Sequence, residues 1–375
     1  AEAGNDLWSY EKLLPFFRLN EADPDFADAY HGADGPIRLH RFKETDWSPP
    51  HRAFYEACRR VGFPDCPDHN HPDSSGVGPL PFNNAERIRW SAAIGYLDPA
   101  RERANLTIKS DCLVHRVLFD GTRATGVVAE SNGRIDEIHG GEILLCAGAI
   151  GSPHTLMRSG VGPADHLREM EIPVVTDVPG VGQNLRDHPQ VPIFLRSKEE
   201  IHGDGTEPRV QMGLRYTATG SNLRNDMFVH SYSFATEEGP YIVSDSKPFG
   251  FGITACIYLA FSKGEVRLAS ADAREHPVLD YNLLAESGDR QRLRQCVRMV
   301  IDLLDDTAFR DIVIDRIVPT DAELASDQAV DDWMEKRVVT SHHVCATCKM
   351  GSAADSMAVV DQQGNVRGVD RLRVA

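Results

Sequence analysis

Two histidines and two cysteines lie within ten residues near the end of the chain, in HHVCATCKMG from His342 to Gly351. Imidazole and thiolate groups are common zinc ligands, and a CxxC pair such as Cys345–Cys348 can also form a redox dithiol. A single histidine can serve as a catalytic base, because the ordinary pKa of its side chain, about 6.5, lies near working pH. The sequence leaves these three kinds of site open.

The metal and dithiol interpretations each need a further feature. Zinc requires four ligands at workable spacing, whereas the adjacent His342 and His343 project differently and no second cluster supplies a partner. A redox dithiol is expected at the N-terminus of a helix that follows a strand, and a disulfide between Cys345 and Cys348 would be its signature. A zinc or thiol protein is therefore the weaker hypothesis.

A second stretch with chemical potential is GEILLCAGAIGSPHTLMRSGVGP, residues 141–163. EILLCA predicts a fully buried strand, and Gly148 and Gly151 allow a sharp turn after it. Ser152 is a natural N-cap and Pro153 a natural first helical residue, so the helix is predicted to begin there. A corner between a strand and a helix gathers backbone N–H groups that could bind a phosphate or a cofactor edge. The same stretch could equally be a plain strand–turn–helix connection.

The segments around these stretches predict both helices and strands. SPPHRAFYEACRRVG predicts a helix that follows Ser48 and ends at Gly62, and apolar residues repeat at helical spacing over 289–305. Between them, period-two segments joined by Asp120-Gly121 and Asn132-Gly133 predict β-hairpins. Together these segments predict an α/β or α+β protein with a sheet-rich second half. Residues 65–81 are predicted to form a long loop, and loops of this length more often have a function than none.

The composition restricts the partners and the compartment. A formal net charge of −16 disfavours nucleic acid and anionic membranes, because both require a positive surface. The longest apolar run, Phe251 to Phe261, is too short for a membrane span, so a buried strand is predicted there. The start of the chain shows no secretory signal, and eight scattered cysteines in a chain of 375 residues favour a reduced, cytoplasmic setting.

The segment CAGAIGSPHTLMRSGVGP closely resembles the second signature of the glucose–methanol–choline (GMC) flavin oxidoreductases, departing from it at Thr155. Further segments resemble the family in the same order along nearly the whole chain: WSYEKLLPFF, AYHGADGPIRL, RWSAAIGYLDPARERANLTI, PGVGQNLRDH, AFSKGEVRLASADAREHPVLDYN and VVDQQGNVRGVDRLRV. The resemblance implies FAD as cofactor and an alcohol as small-molecule substrate. The electron acceptor stays open among oxygen, a quinone and other carriers.

The same resemblance implies roles for single residues. TSHHVCATCKMG places the family's catalytic histidine at His343, with His342 where the family has an aromatic residue beside the flavin. Val114 aligns with a position whose backbone contacts the adenine, and Ala147 and Gly148 are expected to approach the dinucleotide through backbone atoms. The implied reaction is oxidation of a CH–OH group to a carbonyl by hydride transfer to FAD, with His343 as base.

Two further residues bear on the substrate and the site. Gln190 lies where choline-oxidising relatives carry a carboxylate for the quaternary ammonium group, and its neutral amide disfavours choline. His188 is predicted to be a structural, hydrogen-bonded histidine rather than a catalyst.

The implied architecture is a GMC-type FAD-binding domain joined to a sheet-and-helix substrate-binding domain. We expect residues 1–195 to form the FAD-binding region with its lid and loop segments, 196–340 the substrate-binding domain, and 341–375 a return to the FAD-binding domain with the catalytic loop. No GxGxxG motif occurs in the chain, so the FAD-binding domain is expected to be incomplete and the chain a fragment truncated at both ends. A catalytically inactive fragment or binding module is therefore an alternative to the enzyme.

Overall fold

The structure is a computed structural model that describes residues 4–201, 205–236 and 248–375. Its helices are α1 (Tyr10–Asn20), α2 (Pro49–Arg60), α3 (Asp98–Ala100), α4 (Gly148–Arg158), α5 (Ala164–Glu169), α6 (Ser287–Leu303), α7 (Thr307–Arg310), α8 (Asp321–Leu324) and α9 (Asp327–Arg337). Its strands are β1 (Glu21–Ala22), β2 (Ile37–Arg38), β3 (Gly76–Pro79), β4 (Leu113–Asp120), β5 (Arg123–Ser131), β6 (Arg134–His139), β7 (Ile143–Leu145), β8 (Val161–Gly162), β9 (Thr176–Asp177), β10 (Gln183–Leu185), β11 (Gln190–Ser197), β12 (Met212–Tyr216), β13 (Met227–Ser231), β14 (Gly250–Ile257), β15 (Gly264–Arg267), β16 (Val278–Asp280), β17 (Val313–Val318) and β18 (Leu372–Val374). The mixed α/β class predicted from the sequence is confirmed.

The larger hydrophobic core lies under a six-stranded sheet with the order β17-β11-β14-β13-β12-β3. All of its strand pairs are antiparallel, and α2, α6 and α9 pack on one face through residues such as Phe54, Val297 and Trp333. Every residue of β14 is buried, which confirms the prediction of a buried strand in this apolar run. No helix among the described residues is both long and apolar enough to cross a membrane.

Side chains alternate between the two faces where β11, β14, β13 and β12 pair in regular register. Val191, Ala255, Val229 and Leu214 form one row across four strands, and all four lie in the core. Because successive residues of a strand point to opposite faces, the neighbouring row faces away from the core. That outer row lines a cavity described below.

The smaller core gathers several short sheets around α4. It contains the antiparallel sheet β4-β5-β6, the parallel pair β7–β18 and the sheet β10-β15-β16, with Leu156, Met157 and Leu185 among its fully buried residues. Both predicted hairpin turns are present, with Gly121 at φ 58° and Gly133 at φ 72°, values that favour glycine. The pairing of β18 with β7 brings the end of the chain beside the strand that leads into α4.

The two cores do not follow the chain in simple blocks. α2 and β3 belong to the larger core although both precede residue 196. The boundaries at 195/196 and 340/341 stay a prediction, and parts of the segment 196–340 lie outside the described residues.

Two helices predicted from the sequence lie close to their predicted positions. Ser48 occupies the N-cap position of α2, as predicted, but its hydroxyl contacts Ser233 Oγ at 3.2 Å instead of capping the helix. The helix predicted over 289–305 begins two residues earlier, at Ser287. The carboxylate of Asp289 turns outward from this helix and accepts the N–H groups of Phe261 and Ser262.

A buried histidine in α2 should make stability depend on pH. His51 is fully buried, with Nδ1 2.5 Å from Ser231 Oγ and Nε2 3.1 Å from Ser233 Oγ. Burial, reinforced by nearby His230, lowers the pKa of His51 to about 3. The folded state therefore keeps His51 neutral, whereas the unfolded chain protonates it below about pH 6.5, so stability present above that pH is lost as pH falls from 6.5 toward 3.

Replacement of His51 by glutamine should remove this dependence. Between pH 7.5 and pH 5, we expect the unfolding free energy of the wild type to fall by about 2 kcal/mol more than that of His51→Gln. Urea unfolding at the two pH values measures the difference. His139→Gln is the matched control, because His139 is exposed on β6; equal pH dependence in all three proteins would contradict the assignment.

Candidate active site

The corner between β7 and α4 differs from the sequence prediction. α4 begins at Gly148, which has φ 72°, so the prediction of a helix that starts at Ser152 and Pro153 is wrong. Ser152 lies inside the first turns, where its hydroxyl accepts the N–H of Ala147 at 3.2 Å and so fixes the corner from within the helix. The prediction that EILLCA is fully buried is also wrong, since Leu144 is 55% exposed.

A proline inside α4 links this corner to the segment with the two histidines. Pro153 has no N–H, so the carbonyl of Ala149, four residues earlier, lacks its helical donor. The hydroxyl of the buried Thr347 donates to that carbonyl at 2.5 Å. The helix tolerates Pro153 at this position because the segment 339–348, called the catalytic loop below, supplies the missing donor.

Thr347→Val should therefore be destabilising. Valine has nearly the same shape as threonine but leaves the carbonyl of Ala149 without a donor, which costs about 1–3 kcal/mol of unfolding free energy. Urea unfolding measures the loss. Thr125→Val is the matched control, because Thr125 Oγ1 donates to the carbonyl of Leu118 at 3.3 Å in a hairpin whose strand bonds remain; an equal or larger loss in the control would contradict the role of Thr347.

Asp187 organises the catalytic loop from the opposite side. This buried carboxylate accepts the main-chain N–H of His343 at 3.1 Å and that of His188 at 2.7 Å. It also accepts the hydroxyl of Ser341 at 3.1 Å and that of Thr340. Four donors on one carboxylate fix the backbone of the loop on both sides of His342.

The ends of the loop are held by main-chain pairing. Cys345 pairs with Arg186 in an antiparallel bridge, and Val339 pairs in the same way with Gln190. Gln190 also donates its side-chain Nε2 to the carbonyl of Thr340 at 3.2 Å. The position of His343 is thus determined by contacts with residues 186–190, the segment that leads into β11.

The ring of His343 is exposed and lies at the edge of an aromatic array. Its centroid is 5.4 Å from that of His188 in an edge-on arrangement, His188 stacks on Tyr258 at 4.6 Å, and Tyr258 stacks on Phe228 at 4.5 Å. Burial, with a further contribution from His343, lowers the pKa of His188. His188 therefore stays neutral near pH 7 and packs beside His343, and its structural role stays a prediction.

Three cavities meet around the catalytic loop. The sheet cavity, of about 370 Å³, is lined by His69, Asn70, Leu80, Pro81, Phe82, Gln190, Val210, Arg215, Phe228, His230, Cys256, Tyr258, Ser341 and His343. The side cavity, of about 380 Å³, is lined by residues 186–188, Leu223, residues 258–261, His343 and Cys345. The corner cavity, of about 290 Å³, is lined by Gly148, Ala149, Ser152, residues 344–348, Val374 and Ala375.

These cavities bring some predicted site residues together. His343 lines both the sheet cavity and the side cavity, and Gly148 lines the corner cavity with the second half of the catalytic loop. Ala147 precedes Gly148 as an exposed residue.

Two further predicted site residues lie outside the three cavities. Val114 lies apart on β4, where its carbonyl accepts from Arg158 at 3.4 Å, and the exposed His342 lines none of the three cavities. The segment 65–81, predicted as a loop, contains the strand β3, so that part of the prediction is wrong. Its residues His69, Asn70, Leu80 and Pro81 line the sheet cavity, and its functional importance stays a prediction.

The histidines and cysteines of the catalytic loop are not among the groups of described residues that could hold a metal ion. Within the described ranges, the only three side chains that could together hold a metal ion are Glu21, Asp23 and His31, far from the loop in sequence. Arg41 already lies 2.8 Å from Asp23 there and supplies the compensating charge. All eight cysteines are free thiols, and burial raises the pKa of Cys348 to about 12, so its thiolate form is disfavoured.

Sequence patterns did not single out Asp187, Tyr258, Arg215 or His230. Arg215 and His230 lie on β12 and β13, whereas Asp187 precedes β11 and Tyr258 directly follows β14. These parts of the chain are brought together by strand pairing, which no local pattern shows. The one partial signal for Asp187 is the segment PGVGQNLRDH, which contains this residue and resembles the family, but the resemblance does not distinguish Asp187 from its neighbours.

Comparison with known proteins places the whole arrangement in one family. A family model described as GMC oxidoreductase matches residues 1–190, and a second with the same description matches residues 260–375. An uncharacterised GMC-type oxidoreductase from Rhodococcus erythropolis is 36% identical over 98% of this chain and 70% of its own length. Mitochondrial choline dehydrogenase from Mus musculus is 35% identical over 99% of this chain and 65% of its own length.

Solved structures agree with the sequence relatives. Pyridoxine 4-oxidase from Mesorbium loti superposes with a TM-score of 0.88 at 27% identity, covering 100% of this chain and 73% of that one. The chain belongs to the GMC oxidoreductase family. It is an FAD-dependent oxidoreductase of the kind that acts on alcohols, and it spans about two thirds of the length of the relatives it matches.

The residues at the corner fit FAD. A β-carbon added at Gly148 would meet no atom within 4 Å, so this position opens onto free space beside the corner cavity. The N-terminus of the 11-residue helix α4 lies there, and its free N–H groups and positive dipole end suit a negatively charged group. Small residues and backbone donors are what close approach of a dinucleotide requires.

Proposed function

We propose that this protein oxidises an alcohol to a carbonyl compound, with His343 as the base that accepts the hydroxyl proton. The observation that carries the proposal is the position of His343, fixed by Asp187 and exposed where the sheet cavity and the side cavity meet. When bound, FAD supplies the redox chemistry by accepting a hydride from the alcohol carbon. His343 then needs only to hold the hydroxyl and take its proton.

The other titratable groups of the sheet cavity are poorly suited to this role. Burial lowers the pKa of His69 and that of His230 to about 4, which makes both weak bases at neutral pH. Burial raises the pKa of Tyr258 well above its ordinary value, so its hydroxyl stays protonated near pH 7 and does not supply the base. His343 is therefore the preferred base of this cavity.

The cofactor contacts form part of the same proposal. We propose that FAD is contacted by Val114, Ala147, Gly148 and His342, the positions that the family resemblance implies. The open space at Gly148 and the helix N-terminus beside it support the two contacts at the corner. The backbone of Val114, and His342 with its φ of 63°, are the contacts that a structure with bound FAD would test.

Choline is not the substrate that the cavity favours. Several relatives of this chain are choline dehydrogenases, among them the oxygen-dependent enzyme of Photobacterium profundum at 32% identity over 100% of this chain and 69% of its own length. Gln190, which lines the sheet cavity, is neutral and buried, and its side chain holds the carbonyl of Thr340. A neutral alcohol, or one with a negative charge, suits this lining better than a quaternary ammonium ion.

A direct experiment separates the enzyme from an inactive binding module. The purified protein is expected to carry flavin absorbance, and anaerobic addition of primary alcohols such as benzyl alcohol should bleach it. Flavin absorbance that no alcohol bleaches would favour the binding module, and a protein that takes up no FAD would contradict the proposed function. A cytoplasmic setting belongs to the proposal as well, and the eight free thiols support it.

A further inference from the structure

The outer face of the six-stranded sheet forms the floor of the sheet cavity. Gln190 pairs with Cys256, Cys256 with Phe228, and Phe228 with Arg215, so these four residues form one row across β11, β14, β13 and β12. All four line the sheet cavity. They point away from the core, because their neighbours Val191, Ala255, Val229 and Leu214 form the buried row.

Arg215 ends this row with a positive charge for which the described residues supply no carboxylate partner. Its Nη2 donates to the carbonyl of His69 at 3.0 Å and its Nη1 to Ser74 Oγ at 3.3 Å, both neutral acceptors. Its Nε is buried and has no hydrogen-bond partner. No aspartate or glutamate in the described part of the chain lies within ion-pair distance of Arg215, whereas the buried Arg41 and Arg292 are both paired with aspartates.

The rest of the lining offers no compensating anion. The described residues around the sheet cavity include no aspartate or glutamate. Its histidines His69 and His230 are neutral near pH 7, since burial lowers the pKa of each to about 4. The remaining surface is largely aromatic and aliphatic, with Phe82, Phe228 and Tyr258 among the larger side chains. A half-buried cation in such surroundings favours an anionic ligand group.

The two functional ends of the cavity are separated by a distance that the sheet sets. Gln190 holds the catalytic loop through the carbonyl of Thr340, so His343 lies at the β11 end of the row. Arg215 lies three strands away, which corresponds to about 14 Å between the two backbones. The side chains of His343 and Arg215 extend into the cavity and shorten the distance between their functional groups. A molecule with a hydroxyl at one end, a carboxylate at the other and one ring between them would span what remains.

The geometry points to an alcohol that carries a carboxylate as the substrate class, with its carboxylate bound by Arg215 and its hydroxyl at His343. This inference rests on the proposed function. In the reaction, the alcohol carbon loses a hydride to FAD and the hydroxyl loses its proton to His343, while the carboxylate is unchanged. Arg215 acts as a specificity-determining residue that binds the substrate without exchanging protons or electrons.

Binding without turnover tests the role of Arg215 independently of catalysis. In isothermal titration calorimetry of the FAD-loaded protein, 4-methylbenzoate should bind at least about tenfold more tightly than 4-methylbenzamide. Arg215→Gln should abolish the preference, and Arg215→Lys, which retains the charge but not the planar fork, should keep part of it. Arg224→Gln is the matched control: Arg224 donates to the carbonyls of Pro72 and Ser74 in the same loop but does not line the sheet cavity.

Turnover then distinguishes failure of this inference from failure of the proposed function. We expect 4-(hydroxymethyl)benzoate to exceed 4-(hydroxymethyl)benzamide at least about tenfold in kcat/KM in the wild type, and not in Arg215→Gln. Equal binding of acid and amide by the wild type, or a preference that persists in Arg215→Gln, would overturn the inference. If no alcohol were oxidised, the proposed function would fail, while the calorimetric preference would still report on Arg215.

Discussion

Replacement of His343 by alanine is expected to slow anaerobic reduction of the flavin by an alcohol about 10²–10⁴-fold. The variant removes the side chain that is proposed to accept the hydroxyl proton and that lines both the sheet cavity and the side cavity. The main-chain N–H of residue 343 still donates to Asp187 in the variant, so the fold of the loop should persist. Stopped-flow absorbance of the flavin measures the rate.

The control for this variant is a histidine remote from the loop. His139→Ala alters an exposed residue of β6 and should reduce the flavin at the wild-type rate. FAD content and thermal unfolding of the two variants should match. A wild-type rate in His343→Ala would contradict the assignment of the base.

Replacement of Asp187 by alanine is expected to slow flavin reduction about 10²-fold although Asp187 does not take part in proton transfer. Four donors of the loop and of residue 188 lose their acceptor, and a displacement of the His343 ring by about 1 Å is enough for such a loss. The unfolding free energy should also fall by about 3 kcal/mol, because hydrogen bonds to a buried charged group are lost. Stopped-flow kinetics and urea unfolding measure the two effects.

Asp187→Asn separates positioning from simple destabilisation. The amide oxygen can still accept the N–H groups of His188 and His343, so the asparagine variant should keep most of the rate and lose mainly the bond to Thr340. Asp361→Ala is the matched control, since Asp361 accepts the N–H groups of Gln363 and Asn365 in another loop. It should lose stability but not the rate per bound flavin; equal kinetic losses in Asp187→Ala and Asp361→Ala would show that Asp187 has no positioning role.

Local sequence rules predicted the elements whose causes are local. The hairpins depend on Gly121 and Gly133, and α2 begins with Pro49, the residue that a local pattern favours at the first helical position, so short segments were sufficient. The buried strand β14 followed from its continuous apolar run. These features need no information from distant parts of the chain.

The start of α4 could not be predicted in the same way. Ser152-Pro153 has the composition of an N-cap and first helical position, yet the helix begins at Gly148. Pro153 fits inside the helix because Thr347 donates to the carbonyl of Ala149, 198 residues away in sequence. A tertiary contact, absent from any local pattern, decides where this helix begins.

The candidate site also combines residues that the sequence indicated with a residue that only the fold reveals. The family resemblance pointed to His343 and Gly148, and the structure brings both to cavities bordered by the catalytic loop. Arg215 gave no sequence signal, because its proposed role depends on a register that aligns it with Gln190 across four strands. The role depends also on the lack of a carboxylate near Arg215 among the described residues. Charge compensation is a property of the packed sheet cavity and not of a motif.

Chemical rescue tests the central claim, that His343 accepts the hydroxyl proton of the alcohol, most directly. Anaerobic flavin reduction by benzyl alcohol would be followed in His343→Ala and Asp187→Ala at rising imidazole concentrations. The proposed mechanism predicts a slow rate in His343→Ala that increases with the concentration of neutral imidazole, and no such increase in Asp187→Ala. Flavin reduction in His343→Ala at the wild-type rate, without any response to imidazole, would contradict it.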